Sequence, residues 1–100
     1  MHRYLKVSEV VTELDVDPDF LRQLADQEII CIKRTSEGDL VVSADDVERV
    51  RVVQLLTTEL DVNLPGAEVI MHMRDSMLAM HRQFAEILDA LVEELRRQLR

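Results

Sequence analysis

The stretch TELDVDPDFLRQLADQEII, residues 12–30, decides how the rest of the chain is read. Phe20, Leu21 and Leu24 fall at helical spacing, and a break of about three residues separates them from an earlier helical run that ends near Leu14. Within that break Asp17 is a residue type whose side chain caps a helix. Pro18 suits the first helical position, where a missing N–H costs nothing. Two helices joined by so short a turn make a helix-turn-helix. The second helix of such a unit ordinarily carries basic and aromatic side chains toward DNA. Here it opens on Asp17, Pro18 and Asp19, and its one cation, Arg22, stands among acids.

Working outward, residues 4–7 predict a short strand, and Ser8 is a suitable N-cap for a first helix over 8–14. After the second helix, which is expected to end near Gln27, residues 29–34 are apolar and β-branched. A TSEGD turn and a second short apolar run, 40–43, follow. That pattern predicts a β-hairpin, and a hairpin directly after a helix-turn-helix is a wing. Ser43 followed by Ala44, Asp45 and Asp46 marks a third helix, with acids complementing the dipole of its first turn. Val47, Val50, Val52, Val53, Leu55, Leu56 and Leu60 carry it to about Leu60.

Asn63 caps the last segment, before Leu64, Pro65 and Gly66. From there Ile70, Met73, Met77, Met80, Phe84, Ile87 and Leu91 step by three or four, as in a heptad seam. A shifted line through Leu88, Leu91, Leu95 and Leu99 continues it, and Met80, Phe84 and Leu88 form a four-four junction of the stutter type. Asp75 or Ser76 offers an alternative cap, should the segment break into two helices. A stripe this long exceeds what a module of about sixty residues can cover. A second copy of the chain is therefore the expected cover. The expected dimerisation residues are Met73, Met77, Met80, Phe84, Leu88, Leu91 and Leu95; a helix folded back on its own module is the alternative.

The expected organisation is a module over 1–62 and a helical tail over 63–100, within a chain of 100 residues. The net charge of −8 is concentrated in the module, where seven Lys and Arg face fourteen Asp and Glu. Non-specific binding to nucleic acid or anionic lipid rests on clustered cations, so this balance disfavours both and favours a basic partner. Tyr4, Phe20 and Phe84 are too few aromatics for a base-stacking platform. Cys31 is the sole cysteine. It excludes a disulfide within one chain, and its apolar surroundings predict a small buried hydrophobe. The opening MHRYLKVSEV lacks the apolar core of a secretory signal, and no window has the apolar length of a membrane span. A cytoplasmic protein without membrane contact is the expectation.

Catalysis is not expected, because no phosphate loop and no nucleophile–base constellation is present. Met71, Met73, Met77, Met80, His72 and His81 suggest soft-metal ligands. The two histidines are nine apart, however, and methionines at heptad spacing suit an adaptable seam. No metal and no cofactor is expected.

The order of strand, helix-turn-helix, wing, third helix and long terminal helix resembles the MerR-like winged helix-turn-helix family along nearly the whole chain. FLRQLADQEII (20–30) sits where that family has leucine, arginine and two aromatics leading to a glycine-leucine pair. SADDVERVRVVQLLTTELDVNLPGAEVI (43–70) is similar to its serine-acid-acid-valine helix start and its asparagine-leucine-x-glycine turn. The aromatic pair is replaced by Gln23 and Leu24, the glycine by Glu28, and the arginine and aromatics of a DNA-contacting wing by Leu40, Val41 and Val42. In these departures the chain resembles the CbpM-like chaperone modulators, a short and acidic branch.

The resemblance implies a mainly α fold, with a small β-hairpin wing and a long C-terminal coiled-coil dimerisation helix. It further implies a modulator that binds the J-domain of a DnaJ- or CbpA-like co-chaperone and inhibits its action on Hsp70. Such J-domains carry a basic helix that docks on an acidic surface of Hsp70, and an acidic module would compete for that helix. The expected partner-binding residues are Asp15, Asp17, Asp19, Asp26 and Glu28, with Val16 or Ile32 as an apolar anchor if exposed. The alternative is a dimeric DNA-binding transcriptional regulator of the MerR or HspR kind, with contacts from Arg22, Lys33 and Arg34. Arg49 could join them, and each of these four cations, standing among acids, is otherwise read as a solvated side chain.

Overall fold

The computed structural model describes residues 3–99. Strand β1 spans Tyr4–Lys6 and helix α1 Val7–Leu14. Helix α2 spans Pro18–Asp26, strand β2 Lys33–Arg34 and strand β3 Leu40–Ser43. Helix α3 covers Ala44–Thr58 and helix α4 Leu64–Gln98. The sheet is antiparallel with β3 in the centre, pairing Lys6 with Val41 on one side and Lys33 with Val41 on the other. The fold is the mainly helical winged helix-turn-helix with a long terminal helix.

Three helix starts stand where the capping residues predict them. The Asp17 carboxylate accepts the Asp19 N–H at 2.9 Å, the Ser43 hydroxyl that of Asp46 at 3.1 Å, and the Asn63 carboxamide that of Gly66 at 2.8 Å. Each cap satisfies an N–H that the helix cannot satisfy itself. Gly66 suits the last one, since a Cβ there would lie 3.0 Å from both the Asn63 oxygen and a Val62 methyl and would push the cap aside by a few tenths of an ångström. The start of α1 differs from expectation. Its N-cap is Lys6, without a side-chain bond, and Ser8 lies inside the first turn. Strand β1 runs directly into the helix, so pairing with β3 sets the start rather than a capping hydroxyl.

The segment before the wing also differs. Strand β2 holds only Lys33 and Arg34, while Ile29 and Ile30 are buried outside the sheet. Their backbone is committed to the end of α2. Glu28 sits in the left-handed region at φ 61°, its N–H donates to the Ala25 carbonyl, and the Ile29 N–H donates to the Leu24 carbonyl at 2.9 Å. This is a Schellman closure, and buried Leu24 and Ile29 supply its hydrophobic contact. A glycine is the usual occupant of that left-handed position, and Glu28 carries the strain of its Cβ. Glu28→Gly is therefore expected to stabilise the fold by about 0.5–1 kcal/mol after the entropy of the unfolded glycine is subtracted. Thermal melting followed by circular dichroism would register this as a rise of a few degrees; a fall would refute the strain.

The core gathers Val10, Leu21, Leu24, Ile30, Val42, Val50 and Val53, all buried, around the helix-turn-helix, the sheet and α3. Ala67 and Met71 of α4 are fully buried in the same core, so the first two turns of the long helix complete the module. Gln54 of α3 donates to the Leu14 carbonyl at 2.8 Å, satisfying the open end of α1. Beyond this root α4 runs without a break, so neither Asp75 nor Ser76 caps a separate helix. Its 35 residues reach roughly 52 Å. No helix among the described residues is long and apolar enough to cross a membrane.

Candidate functional site

Asp15, Asp17, Asp19, Asp26 and Glu28 are all exposed. They do not form one cluster. Asp19, Arg22, Gln23 and Asp26 share an arc of roughly 100° on the outer face of α2, given 3.6 residues per turn. Asp15, at the left-handed end of α1, and Asp17, bound to its own helix, lie at the start of α2. Glu28 stands past the other end, roughly 13 Å of helix away. The cation on the outer face is partnered, since an Arg22 guanidinium nitrogen lies 3.4 Å from the Asp19 carboxylate. Both groups are well solvated, so the pair adds little to stability. It does place a negative charge beside the one arginine that α2 could offer a phosphate.

The wing cations are likewise turned onto the protein. The Lys33 ammonium lies 3.4 Å from the Tyr4 hydroxyl and 5.6 Å from the centroid of that ring. Arg34 donates to the Gly38 carbonyl at 3.3 Å across the wing turn, where Gly38 adopts φ 91°. Asp39 of that turn pairs with Lys6 at 3.8 Å.

Arg49 is not a solvated arginine. Its side chain is only 19% exposed. Its Nε–H donates to the Ile29 carbonyl at 2.6 Å, and its two terminal nitrogens bind both carboxylate oxygens of Asp75, one of them at 3.1 Å. The residue ties the segment after α2 to α4 through a bidentate pair, a geometry that arginine alone supplies. The hydrogen bond from Arg49 holds the Asp75 carboxyl below its ordinary value, partial burial opposes this, and the charges of Arg49, His72 and Arg74 reinforce it. Asp75 is 26 residues from Arg49 on another helix, so no local pattern announces the pair.

Beside this clamp lies an open hollow of about 530 Å³, floored by Ala25, Ile29, Ile30 and Ile32 and edged by Glu28 and Asp46. Cys31 lines it and is exposed, which corrects the expectation of burial. Its backbone N–H donates to an Asp46 carboxylate oxygen at 2.9 Å, and this holds the segment open along α3 instead of folding Cys31 into the core. Ile32 is half-buried and packs against the core from this wall, as Val16 does elsewhere. Neither is a free-standing anchor, although the Ile32 side that lines the hollow is reachable.

The expected dimerisation residues Met73, Met77, Met80, Phe84, Leu88, Leu91 and Leu95 are all exposed, with Phe84 61% and Leu91 56% accessible. At 100° per residue these seven occupy one stripe, and buried Ala67 and Met71 point roughly 120° away from its centre. The stripe is thus free of the module.

A family profile described as MerR HTH family regulatory protein matches residues 5–89. Comparison with curated proteins and with solved structures returned no match. The matched span takes in both helices of the helix-turn-helix, the wing, α3 and most of α4, and the chain belongs to the MerR HTH family of regulatory proteins.

Proposed function

We propose that the chain modulates a J-domain co-chaperone, binding the basic helix of the J-domain through the acidic side of its module and withholding that helix from Hsp70. The observation that carries the reading is the charge of the recognition helix. Its outer face offers Asp19 and Asp26 beside an arginine already paired to Asp19. Contacts to a phosphate backbone require free donors, whereas an acidic face attracts a basic helix and speeds encounter with it. We further propose that two copies pair through the stripe on α4, giving a dimer with two acidic modules.

DNA binding is the reading that family membership favours, and Arg22, Lys33 and Arg34 are the residues that would serve it. Titration calorimetry against a J-domain protein, beside fluorescence anisotropy with duplex DNA, decides between them. The modulator reading expects J-domain binding that weakens as salt rises, with no saturable DNA binding. Charge reversal at Asp17, Asp19 or Asp26 is expected to slow association about threefold to tenfold, the range of a lost steering charge. Saturable DNA binding that is abolished by Arg22→Ala or Arg34→Ala, with no J-domain binding, would overturn it.

A further inference from the structure

We propose that the partner's basic helix is anchored in the hollow between the end of α2 and the start of α3, with the outer face of α2 acting only to steer it there. This rests on the J-domain reading above and gives it a place on the surface. An interface holds through apolar side chains buried at its centre, whereas exposed charges chiefly set the encounter rate. Asp19, Arg22, Gln23 and Asp26 include no apolar residue, so the outer face lacks such a centre.

The hollow has one. Its reachable lining is apolar at Ala25, Cys31 and the half-buried Ile32, over the buried Ile29 and Ile30, and it continues across Cys31 and Asp46 into a second hollow of about 390 Å³ bounded by Tyr4, Lys33 and Asp45. The charges that a visitor would meet are negative on balance, three carboxylates against Arg49 and Lys33. Glu28, Asp45 and Asp46 stand at the edges, while Arg49 is held by Asp75 and Ile29, and Lys33 lies against Tyr4. An apolar floor with a carboxylate rim fits a cationic amphipathic helix that lowers one apolar side chain between its lysines or arginines. The other apolar groove, about 570 Å³ beneath Leu40 and Val11, lacks this bias, because its Lys6 and Asp39 face each other as a pair.

The only cysteine reports on the site, since Cys31 is exposed and lines both hollows. The test is the alkylation rate of Cys31 in the full chain, by iodoacetamide, with and without a saturating J-domain protein. Anchoring in the hollow expects the rate to fall at least tenfold in the complex. It also expects Cys31→Trp, which fills the hollow, to raise the dissociation rate at least tenfold, whereas Asp19→Lys changes the association rate and leaves dissociation within twofold. A complex that forms normally while Cys31 reacts at its free rate would overturn the site and leave the J-domain reading standing. Failure of any complex to form removes that reading, and the site with it.

Discussion

Replacing Phe84 and Leu91 together by Asp is expected to turn a dimer into a monomer. Each side chain is more than half exposed on α4, and pairing would bury it in both copies. Full burial of an apolar side chain of this size from water contributes about 1.5–3 kcal/mol, and pairing supplies somewhat over half of that here, so the loss over two chains is on the order of 4–7 kcal/mol of association. Two added carboxylates per seam make the change larger. Sedimentation equilibrium is the direct measurement, with twice the chain mass expected for the parent and the single mass for the variant. The far half of α4 should lose helicity as well, because a helix without a packed face is marginal in water. The module should keep its fold, since neither residue touches its core. A parent chain of single mass, or a variant of double mass, would rule out pairing through this stripe.

Arg49→Ala is expected to cost about 2–3 kcal/mol, which for a domain of this size lowers the melting temperature by roughly 10 °C or more. The substitution removes three hydrogen bonds and leaves both the Ile29 carbonyl and the Asp75 carboxylate without the donor that faces them. The figure lies below that of a fully buried pair because Asp75 is 43% exposed, and water recovers part of the loss. The same clamp has a pH signature. Arg49 lowers the Asp75 pKa in the folded state, so the stabilisation is complete above the ordinary carboxylate value of 3.8 and is lost as pH falls through the depressed folded value. Denaturant melts of the parent and Asp75→Asn should therefore differ at neutral pH and converge in acid. A constant gap between the two down to strongly acid pH would show that the carboxylate charge is not what the clamp uses.

The elements that follow from local chemistry were legible in the sequence. Asp17 with Pro18, Ser43 and Asn63 each place a helix start through a bond made within three residues, and the sustained three-four spacing after Asn63 announces one long helix. The misread positions are those governed by distant partners. Ser8 is a suitable cap, yet pairing of Lys6 with Val41 starts the helix before it. Ile29 and Ile30 have strand-like side chains, but Leu24 takes their N–H groups for the end of α2. Cys31 is kept at the surface by Asp46, fifteen residues on, whereas Arg49 is drawn in against the protein by a carboxylate in another helix. The candidate surface was legible as a charge balance. Its division into an outer face and a separate apolar hollow required the path of the chain after Glu28.

The Arg49–Asp75 clamp grips α4 about a third of the way along its length. From Asp75 to Gln98 the helix extends roughly 35 Å further, as an arm rooted in the module. A tilt of about 10° at that root sweeps the tip through roughly 6 Å, more than a full helical rise per turn. The Ile29 carbonyl that anchors Arg49 belongs to the wall of the hollow. By geometry alone, a helix gripped this near its root is a lever of unequal arms, and any tilt at the clamp would be enlarged at the tip.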